Sequence, residues 1–299
     1  MEIGLGLDST LGLSLKQEAE FSRLAAELGY TSIWTPEGTG QDSFQLCYQR
    51  WNATLETVSG GLFTGIAVCP VMYRTPMAFA MSAGTLSELT DGHFILGIGS
   101  GGAFRPAFRQ ALGVSKLSSI SLMRDYLTTV KALLLGEEVN YQGSVVTLRK
   151  GKLEIEPPPK TPVYLGALGP EMLRLAGEIA DGVALNWCSP KQVAWSRKQV
   201  GESAAKTGRD PDTIKIIEYI RICVDDDIDL ARRALSRSVL RYALGDHVPT
   251  ERERTLSYRA HFERMGFTDT LLDLDRMRQQ NKYQDAWSRK QIPDAFADA

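Results

Sequence analysis

Short apolar runs alternate with helical patterns along most of this chain, and this alternation constrains the fold more than any other feature. The runs are rich in Ile, Leu and Val and mostly lack polar alternation, which is typical of strands buried on both faces of a parallel sheet. Seven strands are predicted, and they begin near Ile3, Thr31, Leu62, Phe94, Val163, Gly182 and Lys215. The last run, KIIEYIRICV, extends to Val224.

Helices are predicted between these strands, because apolar residues recur there at helical spacing. Ser14 and Gln17 form a capping-box pattern at the start of the first helix. The long interval between the fourth and fifth strands holds an additional segment, residues 137–160. This insertion is predicted to form a small β-hairpin that turns near Gln142.

Strands that alternate with helices form a parallel sheet with right-handed crossovers. The predicted fold class is α/β. A (β/α)8 TIM-type barrel with a hairpin insertion after the fourth βα unit is favoured over a doubly wound open sheet. One domain is predicted over residues 1–299, with a helical region over residues 226–299. A barrel needs eight strands, and the eighth βα unit is not visible in the sequence. Either the chain lacks its last βα unit, which is the favoured interpretation, or the barrel is incomplete or closed in another way.

Composition narrows the range of partners. The chain has 34 basic and 36 acidic residues and a formal net charge of -2, without the basic excess of a nucleic-acid-binding protein. No apolar run approaches the roughly 18 residues of a membrane span, so no membrane partner is expected. The four cysteines and three histidines lack metal-ligand spacing. We therefore predict no metal site and a reducing, cytoplasmic location.

A glycine-rich stretch follows the fourth strand and has the letters of a dinucleotide-binding motif. A Rossmann site would place that motif after the first strand, with an acidic residue at the end of a strand about 20 residues on. Neither condition holds, because the region about 20 residues on has a helical pattern. Two interpretations remain: a loop at the catalytic mouth, where glycines let the backbone approach a flat ligand, or a tight turn with no ligand. Its residues are Gly97, Ile98, Gly99, Ser100, Gly101 and Gly102.

A second loop of small residues follows the fifth strand, and proline stands where the next helix begins. Free backbone N–H groups at a helix N-terminus favour an anion such as phosphate. Alone the pattern is weak, but on a strand next to the first loop it predicts a bound phosphorylated cofactor. Its residues are Gly166, Ala167, Leu168, Gly169 and Pro170.

Three stretches carry a resemblance to a known family: YRTPMAFAMSAGTLSELTDGHFILGIGSG, SLMRDYLTTVKALLLGE and PVYLGALGPEMLRLAGEIADGVALN. They resemble the luciferase-like superfamily, and within it the coenzyme F420-dependent branch that is similar to methylenetetrahydromethanopterin reductase. The resemblance implies a TIM-type barrel, a homodimer, and a deazaflavin across the C-terminal mouth, with FMN as the alternative cofactor.

Carried over by position, the resemblance implies that Ser100–Gly102 and Gly166–Pro170 bind the cofactor, the second loop through its phosphate. Ala67-Val68 matches a place where the family often has a non-prolyl cis peptide behind the deazaflavin ring. Asn186, at the end of the sixth strand, is a further predicted pocket residue.

The proton donor is left open. Relatives that oxidise sugars or alcohols carry His where this chain has Glu37, and the reductase branch carries Glu where it has Gly6. Asp8, Glu37 and Tyr73 are the candidate catalytic residues. Because hydride transfer needs mainly contact between cofactor and substrate, a missing acid does not exclude catalysis.

The function implied is an F420-dependent oxidoreductase that passes a hydride between deazaflavin and a small organic substrate. Reduction of a C=C or C=N bond is the preferred direction. Two alternatives stay open, an FMN-dependent monooxygenase and a non-catalytic flavin-binding barrel.

Overall fold

The structure is a computed structural model, which describes residues 1–103, 105–156, 158, 160–245, 250–256 and 258–280. Its strands are β1 Gly4–Gly6, β2 Ser32–Thr35, β3 Phe63–Ile66, β4 Cys69–Pro70, β5 Phe94–Gly99, β6 Val139–Gln142, β7 Thr147–Gly151, β8 Val163–Gly166, β9 Gly182–Asn186 and β10 Lys215–Tyr219. The α-helices are α1 Leu15–Glu27, α2 Ser43–Asn52, α3 Pro76–Leu89, α4 Pro106–Ala111, α5 Ser119–Leu134, α6 Pro170–Ile179, α7 Pro190–Lys206, α8 Ile228–Leu244, α9 Glu251–Leu256, α10 Tyr258–Arg264 and α11 Thr268–Gln279.

The seven predicted strands form one sheet in the order β1-β2-β3-β5-β8-β9-β10, and the short β4 pairs beside β5. The pairings from β1 to β9 are parallel. The predicted α/β class and the strand order of a TIM-type sheet are therefore confirmed. The predicted seventh strand was too long, because the apolar run continues to Val224 whereas β10 ends at Tyr219 and exposes the apolar side chains that follow it.

Local sequence explains where the helices begin. The capping box before α1 is confirmed: Ser14 Oγ accepts a hydrogen bond from the Gln17 N–H, and the Gln17 side chain binds back to the Ser14 backbone. Asp42 caps α2 by accepting from the N–H groups of Phe44 and Gln45. The sequence analysis did not assign α2, which supplies the crossover from β2 to β3.

The predicted hairpin in the insertion is confirmed as the antiparallel pair β6-β7. The buried carboxylate of Asp125, on α5, holds it in place. It accepts hydrogen bonds from Tyr141 Oη at 2.8 Å and from the N–H groups of Val145 and Val146 at 2.6 and 2.9 Å. One buried carboxylate thus satisfies three donors of the hairpin.

The chain divides into two compact units. The first comprises Met1–Ala167, Glu171–Ala184 and Gln199–Ile217, and it contains most of the sheet. The second comprises Leu168–Pro170, Leu185–Lys198 and the described part of Glu218–Ala299, including the helical C-terminal region. The single domain predicted over residues 1–299 stays a prediction. No helix among the described residues is long and apolar enough to cross a membrane.

Each unit has its own core. Phe79, Phe94 and Ile98 are fully buried in the first unit. In the second, Leu240, Phe262, Leu271 and Leu274 belong to one buried cluster on α8, α10 and α11. Burial of each such side chain contributes about 1.5–3 kcal/mol to folding.

Candidate active site

The loops predicted to bind a cofactor follow neighbouring strands of the first unit. β3 pairs with β5, and β5 pairs with β8, all in parallel. The carboxyl ends of parallel strands meet at one edge of a sheet, which is where ligand sites form in α/β folds. The residues that follow these three ends, at positions 67–68, 99–102 and 166–167, therefore share that edge.

Val68 lies at the centre of this edge. The peptide bond between Ala67 and Val68 is cis, as the resemblance predicted. An added Cβ would lie 2.7 Å from Val68 Cγ2 at Gly99 and 3.1 Å from it at Gly166. At Gly97 it would lie 1.9 Å from the Ile66 carbonyl oxygen and 3.3 Å from Val68 Cγ1. Glycine is therefore required for this packing, and we call Val68 with Gly97, Gly99 and Gly166 the Val68 platform.

Two hydrogen bonds fix the backbone on either side of the cis bond. The Ala67 N–H donates to the Thr35 carbonyl at 2.8 Å, and the Val68 carbonyl accepts from the Glu37 N–H at 3.3 Å. Both contacts tie the segment to the end of β2. The Val68 side chain is thus held against the glycines by backbone contacts as well as by packing.

The turn after β5 is as crowded as the platform. Gly101 has a φ of +53°, in the left-handed region that favours glycine. An added Cβ would lie 2.8 Å from Pro70 Cβ at Gly101, and 2.7 Å from Phe108 Cγ at Gly102. Ser100 is half-buried, and its carbonyl accepts from the Ala103 N–H at 3.0 Å. This close packing leaves backbone rather than side chains at the surface of the turn.

The second predicted loop leads directly into α6, which begins at Pro170. The first N–H groups of a helix have no partner inside it, so this N-terminus can accept an anion. The Ala167 N–H donates to the Ala184 carbonyl at 3.2 Å, and Arg264 Nη2 donates to the Leu168 carbonyl at 2.9 Å. A Cβ added at Gly169 would meet none of the described atoms within 4 Å.

Glu37, one of the three candidate acids, is held by Arg74. The guanidinium donates to Glu37 Oε2 at 2.6 Å and to Oε1 at 2.7 Å, and it also pairs with Asp42. The Ser43 N–H and the Cys69 thiol donate to the same carboxylate. Burial alone would raise the pKa of Glu37, but these hydrogen bonds outweigh it and lower the pKa. An ionised carboxylate has no proton to donate, so this environment favours a structural role.

Asp8 and Tyr73 differ in their surroundings. Asp8 caps a short 3₁₀ turn at residues 9–11, where its Oδ1 accepts from the Thr10 N–H at 2.8 Å. Tyr73 is half-buried, and its ring centroid lies 6.0 Å from that of Phe108, the residue packed against Gly102. Burial, and then the negative charge of Glu37, raise the pKa of Tyr73, so its phenol is protonated at neutral pH. Of the three candidates, Tyr73 is the one that packs beside the glycine turn with a protonated side chain.

Asn186, the last residue of β9, lies in a polar cluster of the second unit. Its Oδ1 accepts from Arg221 Nη1 at 2.6 Å, and its Nδ2 donates to Tyr258 Oη at 2.8 Å. The Arg221 guanidinium carbon lies 4.3 Å from the Trp187 ring centroid and 5.2 Å from that of Tyr242. Cation–π contacts of this kind hold the guanidinium in one place.

Glu218 belongs to the same cluster and was missed by the sequence analysis. Its Oε1 accepts from the Cys188 N–H at 3.0 Å, whereas Oε2 is buried and has no partner among the described residues. Burial raises the pKa of Glu218 to about 7, although hydrogen bonds with Cys188 and the positive charge of Arg221 act to lower it. Glu218 is the single charged residue inside the apolar run IIEYI, and this placement was the available clue.

The raised pKa predicts a pH dependence of stability. Between an ordinary glutamate pKa of 4.5 and about 7, the folded state binds more protons at Glu218 than the unfolded state does. Stability therefore falls as pH rises through this range, by on the order of 3 kcal/mol between pH 5 and 8. Glu218→Gln should remove this loss, which urea unfolding at the two pH values would measure. Parallel pH profiles for the variant and the parent chain would contradict the assignment.

The sequence profile of one family, described as luciferase-like monooxygenase, matches residues 3–298. This chain belongs to the luciferase-like monooxygenase family.

Two relatives of this luciferase-like chain are 5,10-methylenetetrahydromethanopterin reductases. The protein from Methanolobus tindarius is 29% identical over 217 residues, which cover 72% of this chain and 64% of the relative. The protein from Archaeoglobus fulgidus is 32% identical over 190 residues, which cover 64% of this chain and 56% of the relative. The luciferase-like chain thus spans less than two thirds of the length of either relative.

Among solved structures, the luciferase-like chain is similar to the coenzyme F420-dependent tetrahydromethanopterin reductase from Methanopyrus kandleri. The TM-score is 0.73 at 21% identity, covering 96% of this chain and 82% of that one. At this identity the likeness shows the fold, which is the TIM-type luciferase-like fold that the resemblance implied.

Proposed function

We propose that this protein is an oxidoreductase that uses coenzyme F420 to transfer a hydride to or from a small organic substrate. The observation that carries the proposal is the Val68 platform, which joins three strand ends into one surface free of bulky side chains at its glycines. The names of the two relatives and of the solved structure support a deazaflavin as the ligand of this surface.

The residues present fit such a cofactor. A flat ring system needs an apolar surface with close backbone approach, and Val68 with Gly99 and Gly166 supplies one. A phosphate needs free N–H groups, and the start of α6 supplies these beside Gly169. Ala67, Ser100, Gly101, Gly102 and Asn186 stay predicted cofactor-binding residues.

When bound, F420 supplies a hydride donor or acceptor at C5 of its deazaflavin. The protein residues would do the remaining work. The Val68 platform would contact one face of the ring. The backbone of the turn after β5 would exclude water from the ring. Tyr73 holds a proton beside the glycine turn and is the proposed donor in reduction of a C=C or C=N bond. Arg74, the residue after Tyr73, is held in place by its bidentate contact with Glu37.

Location and assembly are also proposals. Cys47, Cys69, Cys188 and Cys223 are all free thiols, as expected in a reducing cytoplasm. α1 exposes Phe21 and Leu24, and Leu28 directly after the helix is also exposed, which gives an apolar surface that a second subunit of the proposed homodimer could cover.

Fluorescence titrations of the purified chain with F420 and with FMN, run side by side, test the cofactor. We expect saturable binding of F420 and much weaker binding of FMN. A yellow flavin spectrum in the purified protein, or FMN binding without F420 binding, would favour the monooxygenase instead. Binding of F420 without turnover across a panel of enones and imines would favour a non-catalytic flavin-binding barrel.

A further inference from the structure

The second unit contains a cleft of about 420 Å³ at the start of α7. Ligand pockets for small molecules typically measure about 300–1,000 Å³, so the cleft is large enough for one. Its lining combines cationic, amide, hydroxyl and apolar side chains. The residues are Ser189, Lys191, Gln192, Trp195, Arg264 and Met265. We call it the α7 cleft.

Gln192 is the most informative residue of the α7 cleft. Its side chain is only 6% exposed, and its Nε2 is buried with no hydrogen-bond partner among the described residues. An unpaired buried amide costs about 1–3 kcal/mol, so native structures almost always satisfy it. Because Nε2 is a donor and Gln192 lines the cleft, we infer that its missing partner is an acceptor bound in the cleft.

The other groups favour an acceptor with negative charge. Arg264 and Lys191 both line the cleft, and no described carboxylate forms an ion pair with either of them. Ser189 Oγ accepts from the Gln192 N–H at 3.3 Å and so caps a helix of 17 residues, whose N-terminus carries partial positive charge. Two cations, a helix N-terminus and an orphan donor thus converge on one cavity.

The cleft also has an apolar wall and a link to the predicted phosphate loop. The Arg264 guanidinium carbon lies 5.7 Å from the Trp195 ring centroid, and Nη2 donates to the Leu168 carbonyl. Burial lowers the pKa of Arg264, but an arginine remains cationic at neutral pH. A cation that has lost part of its water gains more from an anion than a fully solvated one does.

We propose that the α7 cleft is a binding site for the phosphate group of a small organic molecule. Gln192 Nε2, Lys191 and Arg264 bind the phosphate oxygens, and Trp195 packs against the organic part. Two sources carry this chemistry: a phosphorylated substrate, or the phosphate of the proposed cofactor, bound here instead of at the N-terminus of α6. The site needs neither cofactor binding nor turnover to exist, so it stands or fails independently of the proposed function.

Calorimetric titration of the full chain with inorganic phosphate, without cofactor, tests the site. We expect Arg264→Gln to weaken phosphate binding about tenfold, through loss of a charge-assisted hydrogen bond. Gln192→Leu should weaken it several-fold with no change in net charge and without touching the Arg264–Leu168 contact. Arg197→Gln is the matched control on the exposed face of α7, outside the cleft lining, and should leave phosphate affinity unchanged.

Repeating the titration with saturating F420 separates the two sources. Phosphate that still binds identifies a substrate site, and phosphate that is excluded identifies a tail site. No phosphate binding would overturn the proposal. Equal weakening by Arg264→Gln and Arg197→Gln would also overturn it, because it would show general charge attraction rather than a built site.

Discussion

Replacing Gly99 by valine is expected to weaken F420 binding by about 100-fold while the protein stays folded. The new Cβ would lie 2.7 Å from Val68 Cγ2, so the Val68 side chain or the backbone around it must shift and change the platform. Overpacking of this kind typically costs about 1–3 kcal/mol, and about 1.4 kcal/mol corresponds to tenfold in affinity. Fluorescence titration with F420 measures the change, and circular dichroism checks the fold.

Gly201→Val is the matched control for this substitution. An added Cβ at Gly201 would lie 3.5 Å from Pro211 Cβ, which is ordinary van der Waals contact, and Gly201 is on α7 rather than at a strand end. We expect unchanged F420 affinity. Unchanged affinity in a folded Gly99→Val protein would show that the Val68 platform does not contact the cofactor.

Arg50→Met is expected to destabilise the first unit by about 3–5 kcal/mol, because it leaves a buried carboxylate without its partner. The Arg50 side chain is 1% exposed and pairs with Glu18, 6% exposed, at 2.9 Å. Arg50 Nη1 also donates to the carbonyls of Leu7 and Trp34, both at 3.4 Å. It therefore ties α1, α2 and the ends of two strands together. Urea unfolding measures the loss.

Two further variants separate this buried pair from surface charge. The double variant Arg50→Met/Glu18→Gln should recover much of the loss, since the uncompensated charge is gone. Arg124→Met breaks an exposed pair with Glu178 at 2.7 Å and should cost less than about 1 kcal/mol. Equal effects of Arg50→Met and Arg124→Met would contradict the buried-pair account.

The fold was largely predictable because its elements are encoded locally. Strand positions follow from apolar runs, and the start of α1 follows from the Ser14–Gln17 capping box. Two elements were harder to predict. α2 is short and begins after its N-cap Asp42, inside a polar stretch, so it lacks a strong apolar period. β10 was overextended because Ile220, Ile222 and Val224 continue the apolar run although they are exposed.

The candidate site was predictable only in part. Glycine loops at strand ends can be recognised from the sequence, and the structure packs Gly99 and Gly166 against one Val68. Charge pairing and burial are set by residues far apart in the chain. The sequence could not show that Arg74 forms an ion pair with Glu37, or that Glu218 lies buried beside Cys188. For the same reason no local sequence pattern predicts the α7 cleft, because Gln192 and Arg264, which both line it, lie far apart in the chain.

A crystal structure of the chain with F420 bound is the most direct test of the central claim. We expect the deazaflavin ring to lie against the Val68 side chain, with its phosphate at the N-terminus of α6. A ring bound elsewhere, with Val68, Gly99 and Gly166 not in contact with it, would contradict the account.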